Sequence, residues 1–569
     1  MRYSPIYFIL LAALTLGAED AAAQQSPLVP DEIFYNGKVV TVDSSDRVHE
    51  AFAIRGDRFF AVGSTTEMRK LAGAQTRQTD LRGRTVIPGL MDNHNHSYIG
   101  GMVEQRGVSM KGIQSLGEMF SRIRAAMAAS QPGEPIITTI GWTEESLAEH
   151  RAPTRSELDQ VAPDRPLVVM RARGDAFLNS AALRAAVITR ETKMIAGVEV
   201  PMDKNGEPTG QIGPPGMVNA VLPRIIPSPT RELQQRVLET MQERNLSMGI
   251  TSIREVEMTP EAMRAYQDAR RAGRLKMRIS MGIDVTVADW NRMDEILSPW
   301  GVGPGFGDEW LRLDSVSEFA VDAGGATAWT REPHLQPPDG GSGAMRITPE
   351  QVREAMLAVN RNGWRPAIHI SGDRALDAVL DAYEAADADR SIVGRRWVVE
   401  HIPMVNPDQM DRMARLGVVV SAQIHPYRGY EGNVRTYGQT RADRVVPVRE
   451  MLDKKLIVST GSDFPGQSNS ANPFLNIYFY VSRRTERGAL AGMRQKISRA
   501  EALRVSTVNN AYMTFEENLK GSIEAGKLAD FVILSADIMT VPEEEILKIR
   551  PLATYVGGQK MYAAAQGGF

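Results

Sequence analysis

Val86-Ile87-Pro88-Gly89-Leu90-Met91-Asp92-Asn93-His94-Asn95-His96 is an apolar run that reaches a glycine and then delivers two histidines two residues apart. In an extended strand, residues i and i+2 project from the same face. Two imidazoles leaving one strand end on one side are placed to grip the same cation. Taken alone, such a pair is more often a solvent-facing turn, so the rest of the chain has to decide.

The later runs decide it. His369 follows Ala367-Ile368, His401 follows Val398-Val399-Glu400, and Asp463 follows Val458-Ser459-Thr460-Gly461-Ser462. Of eight histidines, four (His94, His96, His369, His401) close apolar strands, whereas His49, His150 and His334 are scattered. Strands are predicted at 85–91, 250–256, 277–283, 311–319, 366–370, 397–400, 418–423 and 456–460. Helical patterns such as 351–362 and 376–385 lie between several of them, the second with Leu376, Val379, Leu380 and Tyr383 at helical spacing. Eight strands alternating with helices predict the α/β class and a (β/α)8 TIM barrel spanning 85–515, whose chemistry gathers at the C-terminal strand ends. Four histidines and an aspartate there predict a metal centre.

The chain contains no cysteine, so any ion is held by nitrogen and oxygen. That donor set favours Zn²⁺, with Mn²⁺ or Fe²⁺ as alternatives. Such an ion lowers the pKa of a bound water and polarises a carbonyl. Asp463 is expected to serve as ligand and as proton carrier. His425, after the seventh strand, is a candidate for oxyanion stabilisation or substrate binding. Trp142, Glu144, Arg173 and Arg484 are lesser candidates for a substrate pocket.

These motifs identify the chain as resembling the amidohydrolase superfamily, in the long-chain branch that includes YtcJ-like proteins and N-substituted formamide deformylases. The matching stretches include 86–96, Gly141-Trp142-Thr143-Glu144, Gly206-Glu207-Pro208-Thr209-Gly210, 369–374, Glu400-His401, 461–463 and 521–530. The resemblance implies a metal-dependent hydrolase of C–N bonds, with His94, His96, His369, His401 and Asp463 as ligands. Two departures stand out. Where the family carries a bridging lysine on the fourth strand, this chain has Ser317, which favours a single ion; Glu318 would supply a carboxylate only if the register slipped by one. A family Gly-His is Gly174-Asp175 here, which marks Asp175 as an altered substrate contact. A lyase, isomerase or hydratase on the same barrel is the alternative function, with a non-catalytic binding protein as a third.

Around the barrel, 24–84 and 516–569 read as the two halves of a flanking β-sandwich. About 150 residues separate the first two barrel strands, so 100–245 is read as an inserted subdomain, because a loop of that length needs structure of its own. The first 23 residues have a positive start, an apolar run and a small-residue site near Ala23, the pattern of a signal peptide. They predict a periplasmic or secreted protein without a stable membrane anchor. A net charge of −3 gives no basis for binding nucleic acid and leaves a small molecule as the expected partner. A sandwich edge or the insertion would be the place for a homo-oligomer contact.

Overall fold

Eight parallel strands form one sheet whose spatial order follows the chain: β1 (Leu90–Asn95), β2 (Ile250–Met258), β3 (Arg278–Ile283), β4 (Leu311–Ala320), β5 (Pro366–Ile370), β6 (Val398–His401), β7 (Val419–Ala422) and β8 (Val458–Thr460). The structure is a computed structural model describing residues 29–171, 175–195, 198–213, 221–324, 327–336, 341–465 and 471–565. The signal segment with Ala23, and Arg173 and Gly174, lie outside the described residues. Beyond the end of β8 the sheet closes onto β1: Asp463 N–H donates to His94 O at 2.8 Å, and His96 N–H to Phe464 O at 2.8 Å. Gly461 is required at this seam, because a Cβ there would collide with the backbone nitrogen of His94.

The first predicted strand is two strands. Residues Thr85–Pro88 belong to a flanking sheet, pairing with Phe531–Ile533 and with Lys38–Val39; the barrel strand starts only at Leu90. Gly89 makes the transition where a side chain would run into Thr251 of β2. The other seven strands fall within a few residues of expectation, because each is a buried apolar run bounded by polar residues.

The flanking sandwich draws on both chain ends. A six-stranded sheet combines Lys38–Val40, Val48–His49 and Thr85–Pro88 with Phe531–Leu534, Pro551–Val556 and Gln559–Ala563. A second sheet is made of four N-terminal strands within 32–80. Between them lies an aromatic core: Phe531 stacks on Tyr555 at 4.3 Å and Phe34 on Phe52 at 4.9 Å. Such pairs contribute about 0.5–1.5 kcal/mol each beyond the area they bury.

The insertion between β1 and β2 has a fold of its own. Its four-stranded sheet runs Gln211–Ile212, Ala176–Leu178, Leu167–Met170, Ile136–Ile137, with separate apolar clusters on its two faces. The returning helix Arg231–Ser247 then buries Leu238 and Leu246 in the barrel's own core. Among the described residues no helix is long and apolar enough to cross a membrane.

Candidate metal centre

At the C-terminal rim, ring nitrogens and carboxylate oxygens from the ends of seven barrel strands converge. His94 ends the inward face of β1, and its Nδ1 lies 2.9 Å from Glu400 Oε2 on β6. That contact orients Nε2 towards the rim. His96 opens the helix Ser97–Arg106, with Nδ1 3.2 Å from Glu257 Oε2 and Nε2 3.3 Å from Asp463 Oδ1. Asp463 Oδ1 is also 3.7 Å from His94 Nε2. The carboxylate behind each of these two rings fixes its tautomer and direction, a recurrent arrangement in metal sites.

The centre of the cluster is Glu318. Its Oε1 lies 2.9 Å from His369 Nδ1 and 2.7 Å from His401 Nε2, and its Oε2 lies 3.9 Å from His94 Nε2. The expectation of a lone Ser317 at this position therefore does not hold. The reason is a bulge in β4: Val316 pairs with Pro366 and Phe319 with Ile368, so three steps on β4 oppose two on β5. The extra residue breaks the alternation. Ser315 and Ser317 face Arg254 in the barrel interior, at 2.7 and 3.4 Å from its Nη2, and Glu318 faces the histidines as well. The premise for a single ion is thereby removed.

Electrostatics follow from this crowding. Burial favours the neutral form of Glu318, but His369, His94 and His401 hold its pKa well below the carboxylate range. Asp463 is likewise buried and held down by His425 and His96. Burial opposes charge on His401, yet Glu318 raises its pKa to about 9; for His96 the neighbours Asp463 and Glu257 win over burial in the same way. Burial takes His425 the other way, to about 4.

The donor set fits a divalent cation. His94 Nε2, His401 Nδ1 and His425 Nε2 are buried without a hydrogen-bond partner, although buried polar atoms are nearly always paired. Among the described residues, three ligand groups have their donor atoms within 4.8 Å of one another: His94–Glu318–His401, His94–His96–Asp463 and His401–His425–Asp463. Ionised carboxylates beside imidazole nitrogens are what an ion requires, and on binding it would displace the ring protons that Glu318, Asp463 and Glu257 otherwise favour.

All five predicted ligands thus meet, and His425 joins them, with Nε2 3.8 Å from Asp463 Oδ2, beside a small cleft lined by Ile424, Tyr427, Ser462 and Leu475. The remaining candidates have partners of their own. Trp142 is buried and donates to Met170 O at 2.7 Å. Glu144 and Asp175 both pair with Arg171, inside the insertion. Their polar atoms are engaged with one another, so the described contacts give them a role in holding the insertion together. Arg484 lies at a short bridge to Leu490. Two contributors were missed from sequence. Glu400 was read only as the residue before His401, and Glu257 lies just past the predicted end of the second strand, in a stretch where β2 slips register against β3.

With this geometry in view, comparison with known proteins is direct. The model of the amidohydrolase family matches residues 77–562, and the chain belongs to that family. Its class is accordingly that of metal-dependent hydrolases acting on C–N bonds other than peptide bonds. Over 98% of its length it is 28% identical to protein LONG AFTER FAR-RED 3 of Arabidopsis thaliana, of which it covers 96%. It is also 28% identical to an N-substituted formamide deformylase of Arthrobacter pascens, with 94% of this chain and 98% of the relative covered. Among solved structures, a metal-dependent hydrolase from Pyrococcus furiosus superposes with a TM-score of 0.69 at 25% identity, covering 90% of this chain and all of the other.

Proposed function

We propose that the protein is an exported hydrolase of the amide or N-acyl C–N bond of a small molecule, using zinc bound at the strand-end cluster. The observation that carries this reading is the convergence of His94, His96, Glu318 and Asp463, with unpartnered ring nitrogens, at the rim of the barrel. The formyl substrate of the Arthrobacter relative, named for N-substituted formamides, supports a small acyl group on the cleaved nitrogen.

His94, His96, Asp463 and Glu318 would hold one ion; Glu318, His369 and His401 would hold another. The shared carboxylate supports two ions in place of the one suggested by Ser317. An ion bound there supplies an acidified water and a polarised carbonyl. Asp463, kept ionised, takes the proton of the attacking water and passes it to the departing nitrogen. Glu400 and Glu257 keep the rings of His94 and His96 aimed. His425, neutral at pH 7, is placed beside Asp463 to donate a hydrogen bond to the carbonyl oxygen as negative charge develops on it.

The test is elemental analysis of the purified protein, followed by hydrolysis of N-formyl and N-acetyl amines with and without chelator. About two zinc ions per chain and chelator-sensitive release of amine are expected. Hydrolysis that survives complete metal removal would overturn the mechanism, and one ion per chain at full activity would overturn the shared-carboxylate arrangement. Export is checked by cell fractionation and N-terminal sequencing, with a mature start near Gln24 expected.

A further inference from the structure

One buried carboxylate of the ligand strand has no part in the proposed proton path. Asp92 lies on β1, two residues before His94, and is 3% exposed. Among the described residues it belongs to no candidate ligand group, and no cationic side chain pairs with it. A carboxylate taken out of water without a counter-charge is costly unless hydrogen bonds replace its hydration.

Those bonds come from residues that flank the ligands. Asp92 Oδ1 accepts the Ser462 N–H at 2.8 Å, and Oδ2 accepts the Ser462 hydroxyl at 2.6 Å and the Asn95 side-chain amide at 2.7 Å. Asn95 stands between His94 and His96, and Ser462 precedes Asp463. The Ser462 hydroxyl oxygen in turn accepts the Phe464 N–H at 3.1 Å. Asp463, between the two, has a φ of +53°, a left-handed backbone that is uncommon outside glycine and persists only where its surroundings over-determine it. The Asp463 N–H goes to His94 O, and Phe464 O receives the His96 N–H. Each residue of the turn 462–464 is therefore fastened to β1. From that turn the Asp463 carboxylate divides its oxygens: Oδ1 lies 3.3 Å from His96 Nε2, and Oδ2 lies 3.8 Å from His425 Nε2.

We infer that Asp92 is a positioning residue for the proton carrier. Through Ser462 it fixes the backbone from which Asp463 projects, so that one carboxylate oxygen faces the ligand histidines and the other faces His425. The role of Asp463 in turnover rests on the hydrolase reading. A group that collects a proton from water and passes it to a departing nitrogen works from one place only, and a misplacement of about 1 Å can cost about a hundredfold in rate.

The test compares wild type, Asp92→Asn, Ser462→Ala and the double variant, each assayed on N-formyl and N-acetyl amines and normalised to bound zinc and to folded protein. Asp92→Asn is expected to lower kcat about a hundredfold with KM little changed, and Ser462→Ala to lower it less. Because both act through one contact, the loss in the double variant should fall well short of the product of the single losses. The visible absorption of the cobalt-loaded proteins, read without substrate, should differ from wild type in both single variants, since a displaced Asp463 alters the ligand field. Should Asp92→Asn not fold, Ser462→Ala, which removes only a hydroxyl, carries the same two readouts. An unchanged kcat per zinc-loaded chain, a double loss equal to the product of the single ones, or cobalt spectra identical to wild type would overturn the inference. Altered cobalt spectra beside a wild type that hydrolyses none of the amines would uphold the placement of Asp463 and overturn the hydrolase reading instead.

Discussion

Two layers of the barrel interior are both polar and largely buried, yet they are finished differently. In the floor, Arg254 of β2 donates to Asp314 at 2.5 Å, to Glu400 at 2.6 Å and to Ser315 at 2.7 Å. Arg365 completes the layer by pairing with Asp314 and donating to Met513 O at 2.7 Å. Every one of these charges has a partner. In the rim above, the rings of His94, His401 and His425 each keep a nitrogen without one. Glu400 belongs to both layers, with one oxygen on Arg254 and the other on His94. The difference teaches that buried polarity as such does not mark a site: closed networks build the barrel, and open ones await a ligand.

The comparison is broken most directly at the rim. Asp463→Asn is expected to lower kcat by about 10²–10⁴-fold, the usual range for a positioned proton carrier, with the thermal unfolding midpoint little changed; rates and a melting curve on the same preparation check both. Full activity in this variant would remove Asp463 from the proton path.

Arg254→Met does the opposite. It leaves Asp314 and Glu400 buried without their shared cation, and breaking a buried pair this way destabilises by about 3–5 kcal/mol. Urea titration measures it, and a loss below about 1 kcal/mol would mean that the floor is not held by its charges.

Glu400→Gln, at the junction, should weaken ion binding about 10–100-fold, as loss of a carboxylate behind a ligating histidine does. Competition with a fluorescent chelator reads this out.

The smallest effect is an acid limb of stability. Burial opposes ionisation of Asp314, but Arg365 and Arg254 lower its pKa from an ordinary 3.8 to about 2. Its contribution is therefore fully present above about pH 4 and is lost as pH falls through about 2; at most it amounts to about 2 kcal/mol. Acid unfolding of wild type against Asp314→Asn should show this limb in the wild type alone.

Much of this was legible in the chain. Seven strand positions and all five predicted ligands follow from apolar runs ending in His or Asp, because a buried parallel strand reads as a continuous apolar segment. Glu318 was weighed only as a register slip, since alternation assigns neighbours to opposite faces and a bulge leaves no composition of its own. The split at Gly89 was invisible for a related reason: 85–88 and 90–95 are both apolar, and only their pairing partners differ.

The passage through Gly89 also orders events in time. The strand that carries His94 is joined through a single residue to a strand clamped between Lys38–Val39 and Phe531–Ile533. Asp463 reaches the same site from the far end of the barrel. The strand that leads into the earliest-made ligands is therefore clamped on one side by residues made long after the ligands themselves, a contact of high sequence separation. A chain cut short before Phe531 would carry every ligand and still lack the strand that clamps Val86–Pro88, the lead into the ligand strand.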